Sequence, residues 1–275
     1  MFRDRMKISL AVILFAMLFA ANNSAEAITA EEVLENVRMQ HERSIQNIED
    51  YVIETDDYTA YYKKTEHEGR TTFKKRTDMK DRDISNVGAV SEHDILAPDN
   101  YRKLLETARY RGTEGVAGYE THVLALEKME GFMPEYEEMN IELLDGLVYI
   151  DAEEWLLRRM EYNIRVTNPD GSVHETLATV NLEEYQDIDG MKLPFRTVTI
   201  VESPDMELSE EEEQQMEEMK QRMAQMSDDE KEMMKRMMGD RYEQYMRMME
   251  TRTMETVSEI NDVRVNVGLS DDLFE

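Results

Sequence analysis

The residues predict a mainly β chain with accompanying helices, of the α+β class, built as an antiparallel meander. From Asp50 onward the chain falls into runs rich in Tyr, Val, Ile and Thr, residue types that suit a pleated, half-buried surface. Turn signals recur at Gly69, Asp145-Gly146, Asn168-Pro169-Asp170-Gly171 and Asp187 to Gly190, and strands punctuated this way fold back on their neighbours. Within WLLRRMEYNIRVT, Leu156, Met160, Tyr162, Ile164 and Val166 alternate with Arg159, Glu161, Asn163 and Arg165. That gives one dry face and one wet.

The elements follow in order. MFRDRMK, the apolar run Ile8 to Ala21, and a small-residue stretch ending Ala25-Glu26-Ala27 have the layout of a secretory signal peptide cleaved after Ala27. The apolar run is short for a membrane span, so the expectation is an exported, periplasmic chain with no stable membrane anchor. Thr29 with Glu32 makes a capping box, and Val33, Leu34, Val37, His41, Ile45 and Ile48 follow at helical spacing, which predicts a helix over 30–47. Strands are expected in IEDYVIETDDYTAYYKK and TTFKKRTDMK, a short helix in DILAPDNYRKLLETARY with Pro98 near its start, and a strand in YETHVLALEK. Asp145-Gly146 is read as a tight hairpin between IELL and LVYID. Residues 204–252 interrupt the pattern as an acidic, methionine-rich helical insert with capping boxes at Ser209/Glu212 and Ser227/Glu230, and TVSEINDVRVNV returns to a strand. The organisation is thus a signal segment, 1–27, and one domain, 28–275, interrupted by the insert.

The net charge is −29, from 61 acidic against 32 basic residues. That balance argues against nucleic-acid backbones and against electrostatic docking to anionic lipid. Cysteine is absent, which excludes disulfides, thiolate metal sites and cysteine nucleophiles. The histidines, His41, His67, His93, His122 and His174, are dispersed, and no H-E-x-x-H, G-x-S-x-G or phosphate-cradling glycine loop occurs. Catalysis is the least supported class. No cofactor and no resident metal is expected.

The stretch from Val148 to Glu202 resembles the outer-membrane lipoprotein-sorting family, the proteins like LolA. The matching features are the strand ending in Ile150-Asp151, the Trp155 to Arg159 run, the Asp170-Gly171 turn, Tyr185 with Ile188-Asp189-Gly190, Leu193-Pro194, and the ending VRVNVGLSDDLFE with Asn266, Asp272 and Phe274. The resemblance implies a strongly curved antiparallel sheet, an incomplete β-barrel, with helices in its mouth as a lid over an apolar cavity. It implies carriage of lipoprotein acyl chains or phospholipid toward the outer membrane. Donor and acceptor are left open, an inner-membrane transporter and an outer-membrane acceptor among them. The cavity candidates are Leu156, Met160, Tyr162 and Ile164 with Tyr51, Ile53, Leu124, Leu126 and Phe195. Alternation marks burial and not emptiness, so an ordinary packed core is an equal reading of the same residues.

The insert's Met216, Met219, Met223, Met226, Met233 and Met237 fit alternating steps of three and four, with Glu230 at the skipped position. Three accounts stand side by side. The first is a heptad seam within the insert or between two copies. The second is an adaptable apolar surface, for cargo as part of the lid or for a docking partner in an envelope interaction or sensor protein. The third is soft monovalent metal on thioethers.

Overall fold

The computed structural model describes residues 28–67, 69–80, 96, 98–127, 141–167, 171–202 and 253–274, together with 226–227, 232–233 and 235–236. The expected signal segment lies outside the described residues, as does most of the insert. Helix α1 (Ala30–Ser44) starts where the capping box places it: the Thr29 hydroxyl accepts from the Glu32 N–H at 3.2 Å, and the Glu32 carboxylate accepts from the Thr29 N–H at 2.8 Å. Strands β1 (Asp50–Thr55), β2 (Tyr58–His67) and β3 (Arg70–Met79) follow, then helix α2 (Pro98–Thr107), whose last residue runs straight into β4 (Ala108–Val116). Strands β5 (Tyr119–Leu126), β6 (Ile141–Asp151), β7 (Leu157–Thr167), β8 (Val173–Ile188), β9 (Met191–Glu202) and β10 (Thr253–Val265) complete the set, and a short 3-10 turn spans Asp271–Phe274.

All ten strands form one sheet in the order β3-β2-β1-β10-β9-β8-β7-β6-β5-β4, and every pairing is antiparallel. The sheet is open, not a closed barrel. From β4 to β10 it is a plain meander. The N-terminal strands join it at the far side of β10, where Tyr51 faces Val265. This joint is clasped by Asp50, whose carboxylate accepts from the N–H groups of Val267, Gly268 and Leu269 at 2.7 to 3.2 Å. The Asn266 side chain closes it further by accepting from the Glu49 N–H at 2.7 Å.

Helix α1 packs against both β4 and β9. Five inter-strand gaps of about 4.8 Å separate those strands, roughly the length of a fifteen-residue helix at 1.5 Å per residue. The helix therefore lies across the strands rather than along them, and its stripe of Val33, Leu34 and Val37 is buried.

The DG dipeptides behave in two ways. Asp189 (φ 53°) and Gly190 (φ 91°) are both left-handed and form the tight turn between β8 and β9, with the Gly190 N–H donating to the Asp187 carboxylate at 2.8 Å. The hairpin expected at Asp145-Gly146 does not form. Ile141–Asp151 is one strand, and the extra residue is absorbed as a bulge between Leu143 and Asp145. The Asn163 side-chain amide on β7 donates to Asp145 at 2.6 Å, so the aspartate is spent on its cross-strand neighbour instead of on a turn.

Candidate ligand-binding face

Alternation on the middle strands produces an apolar floor. Leu124, Val148, Met160 and Val180 are cross-strand partners in one row, and all are at least nine-tenths buried. The roof over this floor comes from Val33, Leu34 and Val37 of α1 and from Tyr101 and Leu104 of α2, all in the same cluster. Between roof and floor is a cavity of about 20 Å³, lined by Leu34, Val37, Leu96 and Leu104 above and by Leu124, Leu126, Val148, Ile150 and Leu157 below. Every lining residue is aliphatic. Ligand pockets run to several hundred Å³, so the seam is too small to hold a ligand as it stands.

A polar tie joins the two helices of the roof. The Tyr101 hydroxyl on α2 donates to the Glu35 carboxylate on α1 at 3.2 Å. Tyr101→Phe keeps the ring and removes this bond, and is expected to cost about 0.5–1.5 kcal/mol in urea unfolding with an unchanged m-value. A change in m instead would mean that the native packing of α2 had altered.

Outside the cavity lining, aromatic rings pack against the same cluster, Tyr110 and Trp155 among them. The His122 ring stacks on Trp155 at 5.2 Å and 18°, and its Nδ1 lies 3.2 Å from the Tyr110 hydroxyl. Burial pushes the His122 pKa down, against the opposing pull of the Glu120 carboxylate. Farther along the floor, burial pushes the Tyr162 phenol up to about 12. Both shifts mark a poorly hydrated surface.

Trp155 holds a left-handed conformation (φ 59°), costly for a bulky residue. The corner that enforces it is built on Asp151. One Asp151 carboxylate oxygen accepts from the Glu153 and Glu154 N–H groups at 2.9 and 2.8 Å. The other takes the Arg158 Nε and Nη2 donors at 2.9 and 2.7 Å. The Arg158 guanidinium sits 3.8 Å from the Tyr119 ring centroid and 5.0 Å from that of Tyr185. Sequence reading marked Ile150-Asp151 and the Trp155 to Arg159 run, but not this buried pair.

The nine cavity candidates divide. Leu124, Leu126 and Met160 belong to the floor, with Tyr162 and Ile164 packed at its margin. Tyr51 and Ile53, with Phe195 alongside, belong to a second cluster formed with Ile45, Ile48, Ala60, Tyr62, Met191 and Leu193. There Tyr51 stacks on Tyr62 at 4.4 Å and meets Phe73 edge-on at 5.2 Å. Leu156 is buried but is not a member of the floor cluster. A bulge where β7 meets Tyr149/Ile150 adds Arg158 to the strand, so Leu157 rather than Leu156 shares the cluster with Met160. Val148, Ile150, Leu104 and the α1 stripe line the seam without having been singled out, although the stripe's helical spacing was visible.

Of the insert methionines, Met226 is half-buried and Met233 is 61% exposed; Met216, Met219, Met223 and Met237 lie outside the described residues. Among the described residues no group of His, Asp and Glu could hold a metal ion, and no helix is long and apolar enough to cross a membrane.

No family model matches the chain, and no curated protein does. Among solved structures it is similar to an outer membrane lipoprotein-sorting protein domain from Vibrio parahaemolyticus, at 12% identity over 89% of this chain and 97% of that one, TM-score 0.42. It is also similar to a DUF1329 family protein from Desulfovibrio piger, at 12% identity over 88% and 97%, TM-score 0.39.

Proposed function

We propose that the chain is a non-catalytic carrier of the cell envelope that takes acyl chains, of lipoproteins or of phospholipid, between its helices and the apolar floor of its sheet. The observation that carries this reading is the seam under α1 and α2: a cavity walled by aliphatic side chains alone, beneath two helices of which α1 crosses the strands. Each methylene moved from water into such a site contributes about 0.8 kcal/mol, so affinity needs no polar chemistry. A seam of about 20 Å³ admits a chain only if the roof moves. Helix α2 is the part that moves in this reading. It is ten residues long, its outer side exposes Leu105, and it runs straight into β4 where Thr107 meets Ala108.

Mass spectrometry of solvent extracts from chain purified out of an envelope fraction without detergent tests the proposal. Near-stoichiometric phospholipid or acylated peptide is the expected result. A clean extract from folded protein would overturn it. A second reading, an envelope interaction protein that docks a partner through the insert, is favoured by Met233, a large apolar residue that is 61% exposed. A clean extract would bring that reading forward.

A further inference from the structure

The two edges of the sheet are built differently. Edge strand β4 is interrupted by a bulge between Tyr110 and Gly112, with Gly112 at φ 112°, a common way of blunting an edge. Edge strand β3 pairs with β2 through all ten of its residues, from Arg70 to Met79, without any register shift. Among the described residues no strand pairs with its other side.

The charge of that edge is opposite to the charge of the chain. Strand β3 has Arg70, Lys74, Lys75 and Arg76 against Asp78 alone, in a chain of net charge −29. Successive strand residues point to opposite faces, so Lys74 and Arg76 lie on one face and Lys75 on the other, where its ammonium is 5.9 Å from the Tyr62 ring. The first face already holds an acidic piece of chain. Lys63, opposite Lys74 in register, donates to the Leu269 carbonyl at 2.7 Å and pairs with Asp271 at 2.9 Å. Arg76 donates to the Leu273 carbonyl at 2.8 Å.

We propose that the edge of β3 with which no described strand pairs is a strand-addition site for an extended acidic segment of a partner polypeptide. Main-chain hydrogen bonds along ten regular residues supply the affinity, and Lys74, Lys75 and Arg76 supply the selectivity. The same cations repel basic strands and disfavour neutral ones, the usual protection of an edge, so the site stays unaggregated until an acidic strand meets it. An anionic bilayer fits less well. The cations straddle the strand instead of forming one flat row, and the chain's net charge of −29 repels an anionic surface brought within a Debye length of about 8 Å.

The test is fluorescence anisotropy on the purified full chain with labelled ten-residue peptides. One alternates glutamate with valine and threonine, and a second carries lysine in place of glutamate. Two more repeat the acidic sequence with N-methyl groups on one or the other alternating set of residues. The acidic peptide is expected to bind at least tenfold tighter than the basic one. At least one N-methylated peptide, identical in charge, should lose tenfold or more. The triple variant K74E/K75E/R76E should lose tenfold or more as well, and the peptide comparisons on the unaltered chain decide the matter if that variant fails to fold. Equal binding of all three acidic peptides would overturn strand addition. So would no peptide binding, or co-sedimentation with phosphatidylglycerol vesicles in its place.

Discussion

Replacing Arg158 by methionine is expected to lower the unfolding free energy by about 3–5 kcal/mol, because it strands a buried carboxylate. Side-chain exposure is 6% for Arg158 and 4% for Asp151. The methionine preserves much of the volume packed between Tyr119 and Tyr185, so the loss reports chiefly the charge and its hydrogen bonds. With total stabilities typically about 5–15 kcal/mol, a change of this size is readily read from urea midpoints. The double variant D151N/R158M should be milder than the sum of the single changes, since removing both charges leaves neither uncompensated. Additivity of the two would show that the pair is not coupled.

The same corner sets a pH dependence. Burial pushes the Asp151 carboxyl up, but the Glu154 N–H, Arg158 and the Glu153 N–H together outweigh it and hold the group below its usual value of 3.8. A folded-state pKa lower than the unfolded one means stability that is fully present above the unfolded value and lost as pH falls through the folded one. The contribution is therefore complete at neutral pH and fades only below about 4. In R158M the carboxyl keeps its burial and loses its cation, so its pKa rises. The stability gap between R158M and the unaltered chain should narrow as the pH is taken from neutrality to below 4. A constant gap would mean that the cost of R158M is packing alone.

Much of this fold was legible because its signals are local. Thr29 and Glu32 announce the start of α1 by a bond pattern three residues long, Pro98 marks α2, and the alternation from Met160 to Val166 follows from the pleat. What was not legible was anything set by the strand opposite, whether near or far along the chain. Tyr51 and Ile53 alternate as a floor strand would, but β1 pairs with β10, more than two hundred residues away in sequence, and that places them with Met191 and Leu193 in the second cluster. Asp145-Gly146 has the composition of a turn, and only the strand opposite, with Asn163 reaching back, makes it a bulge. Leu156 and Leu157 are equivalent in composition, and the bulge at Arg158 decides between them. Net charge misleads in the same way: −29 for the whole chain conceals an edge strand of the opposite sign, because a sum carries no address.

Leu104→Ala is expected to cost about 2–5 kcal/mol and to turn the closed seam into a binding cavity. Leu104 is 1% exposed and is α2's contribution to the lining of the cavity beneath it. Truncating it forfeits the transfer energy of the removed atoms and leaves a hole on the order of 100 Å³ beside an aliphatic lining, a kind of hole that stays dry and accepts benzene or xenon. Saturating benzene should therefore restore part of the lost midpoint in L104A and leave the unaltered chain nearly unmoved, since a ligand stabilises only the state that binds it. The companion readout is lipid. If α2 is the lid, its plug has been shortened and L104A should retain more acyl chain through purification than the parent does, with Trp155, packed against the same cluster, reporting the difference in its emission. Rescue by benzene without any gain in lipid would mean that the seam is a packed core with room made in it, and that α2 does not open.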